Sequence, residues 1–328
     1  MFGPVWGASG VQGFFGEGYW YQKLFAKIFP GYSFSGLTFV SKTATAFTTT
    51  GNMPLAEDGI TPRDKRPACI TIGFWQILWG VMLNAVGLSN IGLMSLGAMN
   101  RWQRRTQSFM ISVMAIGKTR EDREFEIRAI IKTLLVLIRD MKTRIAIQLN
   151  VSCPNTKHIV SRNEFVEETL FLLDLLSELG IPIIVKINLQ TEVVEAEIIA
   201  KHPACSGISI SNTIPWASVP TWMKYLFFGS TTSPLAHLGG GGLSGWPLLP
   251  RVCTWIRAAR AAGITKHINA GGGIFGPFGV WRAKRAGADS ISLCSIAAVR
   301  PWMLGLTARF AHHLYAPRNA PTRRTVWQ

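Results

Sequence analysis

From about residue 100 onward the chain switches repeatedly between two hydrophobic periods. Glu121–Met141 opens with acids and then spaces apolar residues three and four apart, which predicts a helix. The following run, Arg144–Val151, is apolar and β-branched, which predicts a buried strand. The alternation then recurs. Helices are expected over Asn163–Leu179 (stopped at Gly180), Thr191–Lys201, Pro247–Ala262 (stopped at Gly263), Gly276–Ala286 and Ile296–Leu314. Strands are expected over Ile181–Ile187, Ser206–Ser211, Lys266–Ala270 and Asp289–Cys294. Leu37–Thr43 and Phe109–Ala115 add two earlier strands, and Met1–Ala8 could be a further one. Apolar strands separated by helices indicate a parallel sheet covered on both faces. The expected fold is α/β, a (β/α)8 TIM barrel in one domain over 1–315, followed by a basic tail over 316–328. A doubly wound open sheet is the competing architecture.

In a barrel, chemistry sits where strands end. Those positions here are Ala8-Ser9-Gly10, Lys42-Thr43, Asn150 through Asn155, Lys186, Ser211-Asn212-Thr213, Gly271-Gly272-Gly273 and Cys294-Ser295. Core packing does not ask for polar groups and glycines at so many strand ends. The glycine triplet with Cys294-Ser295 suits a phosphate, because glycine lets backbone N–H groups close on an anion. Lys42 and Lys186 end apolar runs and ask for a shared anionic or electron-rich ligand, such as a flavin ring that gains charge on reduction. Asn84, Asn150, Asn155 and Asn212 each offer a donor and an acceptor, which suits a pyrimidine edge. Cys153 stands between Ser152 and Pro154, where a thiol could serve as general base.

Composition narrows the setting. Hydrophobic residues are 48% and charged residues 16% of 328, so this chain buries a core. Its net charge is +16, concentrated from Arg251 onward, where Asp289 is the sole acid. Such a face suits an anionic neighbour. The five cysteines, Cys69, Cys153, Cys205, Cys253 and Cys294, form no CxxC pair, which fits a reducing compartment. With no signal-peptide pattern at the start, a cytoplasmic protein is expected. Ala68–Asn100 carries no charge, but Gln76, Asn84, Ser89, Asn90 and its glycines argue against a transmembrane helix.

The run Asn150-Val-Ser-Cys-Pro-Asn155 resembles the catalytic loop of dihydroorotate dehydrogenases, specifically the soluble class 1 that uses cysteine. The motifs GASG (Gly7–Gly10), FVSKT (Phe39–Thr43), NAVGLSNIG (Asn84–Gly92), IVKI, SNT, GGLSG (Gly241–Gly245) and AGGGI (Ala270–Ile274) follow in the family's order. The resemblance implies FMN as cofactor and oxidation of dihydroorotate to orotate in pyrimidine synthesis. Cys153 would take the C5 proton while hydride passes from C6 to the flavin. Lys42, Asn84, Ala85, Val86, Gly87, Leu88, Asn150, Asn155, Asn212 and Thr213 would hold substrate. Ser9, Lys42, Thr43, Asn150, Lys186, Ser211, Gly245, Gly272, Gly273, Cys294 and Ser295 would hold FMN. No metal is implied. A homodimer is expected, with fumarate as acceptor or NAD reached through an FAD/[2Fe–2S] partner subunit, and no nucleic acid.

Three features depart from the family pattern. Cys294-Ser295 replaces a usual Gly-Thr, Ile214–Leu238 is long and aromatic, and the charge is unusual. The charge keeps one alternative in view, an FMN-dependent tRNA-dihydrouridine synthase, whose loop resembles Asn-x-Gly-Cys-Pro where Ser152 stands here; a non-catalytic flavin- or pyrimidine-binding scaffold is a second alternative that nothing in the sequence favours, because Cys153 occupies the base position.

Overall fold

A computed structural model describes residues 2–152 and 162–316. Cys153, Asn155 and most of the expected tail lie outside the described residues. Seven strands form one curled parallel sheet: β1 Val5–Gly7, β2 Phe109–Val113, β3 Ile145–Asn150, β4 Ile183–Ile187, β5 Cys205–Ile210, β6 His267–Gly271 and β7 Ser290–Leu293. Their spatial order is β1-β7-β6-β5-β4-β3-β2. Helices Arg120–Arg139, Arg162–Ser177, Val193–Lys201, Leu248–Ala261 and Pro277–Ala286 cross from each strand of β2–β6 to the next. Parallel neighbours require such crossovers.

The expected strand Leu37–Thr43 is not a regular one. Thr38 exchanges backbone bonds with β1, and Phe39, Ser41 and Ala44 bond to Met110, Ser112 and Met114 in or beside β2. These are isolated bridges rather than a continuous ladder. The ladder breaks because the Lys42 amide turns to the Gly13 carbonyl and the Ser112 amide takes the Ser41 hydroxyl. The expected final helix is also divided. It runs Ile296–Val299, one 3-10 turn at Pro301–Met303, then Leu304–Tyr315, because Pro301 cannot continue a helix.

The crossover helices bury one stripe each. In Arg120–Arg139 the buried set Ile127, Ile130, Ile131, Leu134 and Leu137 follows the helical period, and Thr119 caps the first turn through the Asp122 amide. A small antiparallel sheet lies over the strand ends. It pairs Ile70–Thr71, Val81–Asn84, Gly242–Gly245 and Ile214–Pro215.

Polar residues also sit inside the parallel sheet. Asn269 accepts from Ser209 and Ser292 at 3.1 and 2.6 Å and donates to Ser290 at 2.7 Å. His267 bonds Ser290 at 2.8 Å and stacks on Trp6. Burial holds the His267 imidazole below its ordinary pKa of 6.5, with Asp289 opposing and Arg260 reinforcing the shift. The unfolded chain therefore takes up a proton below about 6.5 that the fold resists, so stability is present above that pH and is lost as pH falls through it. Urea unfolding should show this loss, and His267→Gln should flatten that part of the profile.

Candidate active site

The strand ends open on a cavity of about 520 Å³. Ser9 follows β1, Asn150 closes β3, Lys186 lies in β4, Ser211, Asn212 and Thr213 follow β5, Gly271 and Gly272 close and follow β6, and Cys294 and Ser295 follow β7. Lys42 and Thr43 join them from the bridging segment, and Asn84, Val86, Gly87 and Leu88 from the small sheet and its following turn. Tyr19, Trp20 and Tyr21 form part of the wall.

One hydrogen-bonded chain ties this rim together. Ser9 Oγ lies 3.0 Å from Thr43 Oγ1, and Thr43 Oγ1 lies 2.9 Å from Ser112 Oγ. Asn150 donates to Thr43 at 3.4 Å, while Asn212 donates to Asn150 at 3.0 Å and to the Ser152 carbonyl at 3.1 Å. Two asparagines are thereby held in fixed rotamers at the ends of two parallel strands that flank β4, which is how a site becomes preorganised.

The charge balance is positive. Lys42 is buried, donates to the Ser89 carbonyl, and lies 4.6 Å over the Phe14 ring. Lys186 faces the same cavity. Cys294 is exposed to the cavity, where desolvation raises its thiol and the Lys186 charge partly opposes that rise. Burial also raises the hydroxyls of Tyr19 and Tyr21, so both stay neutral at ordinary pH.

Three expected site residues stand behind the wall. Ala85 is fully buried and its carbonyl accepts from Asn52. Gly245 and Gly273 pack backbone against backbone: a Cβ on Gly273 would lie 2.8 Å from the Gly245 carbonyl oxygen. Gly272 does reach the cavity. Cys153 and Asn155 lie outside the described residues, but Ser152 is fixed by its Oγ bond to the Lys186 carbonyl at 3.2 Å.

Sequence reasoning missed Gln148, which lines the cavity from β3 and whose Oε1 is buried without a partner among the described residues. Ser209 and Ser292 line it too. The signal that could have found them is alternation: Gln148/Asn150, Ser209/Ser211 and Ser292/Cys294 place polar groups two apart on strands that otherwise read as apolar. The fully buried Ser211 Oγ is likewise unpartnered among the described residues. Buried orphans in a cavity call for a ligand that bonds them. A polar, planar, anionic ligand would suit the orphans and both lysines, and the cavity falls within the ~300–1,000 Å³ usual for such sites.

Fold and cavity together define an α/β protein with its ligand site at the carboxyl ends of parallel strands. Comparison with known proteins makes this specific. The family model "Dihydroorotate dehydrogenase" matches residues 65–301, and the chain belongs to that family. Members are flavin-dependent oxidoreductases that oxidise dihydroorotate in pyrimidine synthesis, and this chain is an enzyme of that kind. A curated relative, dihydroorotate dehydrogenase A (fumarate) of Limosilactobacillus reuteri strain DSM 20016, is 27% identical over 253 residues, 74% of each chain. Two Eimeria tenella dihydroorotate dehydrogenase structures share the fold. The complex with ferulenol has TM-score 0.62 at 19% identity, over 94% of this chain and 79% of that one. The ligand-free form has TM-score 0.60 at 18%, over 94% and 82%. No helix among the described residues is long and apolar enough to cross a membrane.

Proposed function

We propose that this enzyme oxidises dihydroorotate to orotate with FMN bound in the strand-end cavity and Cys153 as general base. The bound flavin supplies the hydride acceptor. Lys42, Lys186, Thr43, Ser211, Gly272 and Ser295 would hold it. Asn150 and Asn212 would orient the pyrimidine ring, with Asn84, Thr213 and Asn155 at its other edges. Cys153 would remove the C5 proton. The hydrogen bonds of segment 38–44 to both edges of the parallel sheet support a closed (β/α)8 barrel, with that segment as the eighth stave.

The observation that carries this reading is the Asn212–Asn150–Thr43 chain, locked beside two lysines in the cavity. An anaerobic titration tests it. The purified protein should be yellow, and dihydroorotate should bleach the flavin band in one turnover. Colourless protein that takes up no FMN, or flavin that dihydroorotate leaves oxidised, overturns the reading.

Ser211→Ala gives a finer check. Removing an orphaned buried hydroxyl should leave the apoprotein as stable or up to ~1 kcal/mol more stable, while FMN binds up to about 10-fold more weakly. Paired urea unfolding and FMN titration would measure both. Equal FMN affinity in variant and wild type removes Ser211 from the site.

A further inference from the structure

Along the inner face of the parallel sheet, side chains two residues apart fall into layers. One layer is hydrocarbon: Trp6, Val40, Met110, Ala146 and Ile184 pack as a cluster of their own. Gln148 stands two residues beyond Ala146 and two before Asn150, with Ser112 and Ile184 as its ladder partners. It therefore lies in the floor of the cavity, between the hydrocarbon and the strand-end asparagine. The polar neighbours on this face satisfy one another. Ser112 Oγ lies 2.9 Å from Thr43 Oγ1, and Ser209 and Ser292 both donate to Asn269. Gln148 differs. It is 2% exposed, and its Oε1 has no partner among the described residues. A buried amide oxygen that lines a cavity and bonds nothing in the protein asks for a donor on the ligand.

The phosphate of a flavin nucleotide offers acceptors and no donor. Its expected place is also elsewhere, at Gly272 and Ser295 beyond β6 and β7. In the sheet order β3 stands three strands from β6, roughly 14 Å at ~4.8 Å per strand. A flavin nucleotide anchored at those residues brings its ring, rather than its phosphate, to Gln148. An oxidised isoalloxazine has a single ring N–H, at N3, with a carbonyl on either side. A primary amide presents C=O and NH2 next to each other, so it matches that imide edge with paired hydrogen bonds.

We propose that Gln148 is a flavin-positioning residue: its amide pairs with the imide edge of bound FMN, Oε1 accepting from N3–H and Nε2 donating to an adjoining ring carbonyl. The inference rests on FMN occupying the strand-end cavity. Paired bonds at one edge fix the ring within its own plane, which an anchored phosphate at the far end of a flexible chain does not do. Dihydroorotate carries an imide edge too. Gln148 suits it less, because Asn150 and Asn212, the residues assigned to the pyrimidine, stand at the strand ends while Gln148 lies beneath them in the floor.

A cycle of protein variant against ligand analogue tests it. The full chain, freed of flavin, is titrated with FMN and with 3-methyl-FMN, and quenching of flavin fluorescence reads the affinity. Wild type should bind the methylated analogue about 10-fold or more weakly, since N3 no longer donates. Gln148→Leu should bind FMN about 10-fold more weakly than wild type and should prefer FMN over the analogue by no more than about 3-fold. Its flavin-free form should unfold in urea at the wild-type midpoint or above it, because a buried unbonded group has been removed. Gln148→Met, unbranched and of similar length, repeats the measurement should the leucine variant fail to fold. Wild type that takes up no FMN overturns the flavin reading itself, and this inference with it. FMN affinity unchanged in the variants overturns the inference alone. So does weaker FMN binding with the preference over 3-methyl-FMN intact, which would make Gln148 a packing residue. Unchanged FMN affinity with weakened binding of orotate to the flavin-loaded variant would assign the amide to the pyrimidine instead.

Discussion

Gly245→Ala should cost roughly 3–5 kcal/mol of stability and abolish flavin loading, an effect far beyond that of most glycine replacements. Gly245 closes the strand Gly242–Gly245, which runs antiparallel to Val81–Asn84 with Gly245 opposite Val81. Its φ is +124°, a region where side chains are strained. A Cβ there would lie 2.3 Å from the Gly80 carbonyl oxygen and 2.8 Å from Val81 Cα. Both are backbone atoms, so no rotamer change relieves the contact. The strands would have to part. Met82, Asn84 and Ser244, which line the cavity from these two strands, would move with them. Gly180→Ala is the control. Gly180 has φ +63° and nothing within 4 Å of an added methyl, so it should lose only about 1 kcal/mol with flavin content intact. Urea midpoints and the flavin-to-protein absorbance ratio separate the two. Equal losses at both positions would mean that φ alone, not the strand contact, sets the cost.

The parallel sheet was legible because each of its later strands is a short apolar run bounded by a helix with its own start or stop signal. Asn163–Leu179 with Gly180, and Pro247–Ala262 with Gly263, match the observed helices to within two residues at each end. The polar strand ends were legible for a related reason: hydrocarbon packing cannot account for Lys42 or Asn150 at the end of an apolar run. The small antiparallel sheet was not legible. Its strands are two to four residues long, too short to show alternation, and they pair across distances such as Asn84 with Gly242. Helix Phe74–Trp79 was hidden inside an uncharged stretch weighed only as a membrane span, and at six residues it is too short to show a helical period. The break at Pro301 was readable and went unread, because the apolar pattern continues on both sides of it. Gln148 went unread for the opposite reason. One amide in an apolar strand looks like an exception until the neighbouring strands are seen to repeat it.

Cys153→Ala should slow flavin reduction by dihydroorotate about 100- to 10,000-fold while FMN stays bound, the range expected for losing a general base. The other thiols cannot replace it. Cys69, Cys205 and Cys253 are buried, and burial raises each of them, Cys205 to about 11. Cys294 faces the cavity, but desolvation raises it as well. Tyr19 and Tyr21, the phenols of the cavity wall, are raised too. Cys153 follows directly on Ser152, whose carbonyl accepts from Asn212 and whose hydroxyl bonds the Lys186 carbonyl. Its anchor therefore belongs to the same rigid rim as the asparagines proposed to hold the ring. Cys153→Ser distinguishes a proton acceptor from a packing residue. A hydroxyl loses its proton far less readily than a thiol, so the serine variant should recover rate only toward alkaline pH, with the pH profile displaced rather than merely scaled. Stopped-flow bleaching across pH, with FMN content measured in parallel, reads both quantities. An alanine variant within a few-fold of wild type, or a serine variant whose profile is lowered but unshifted, would transfer the base to another group.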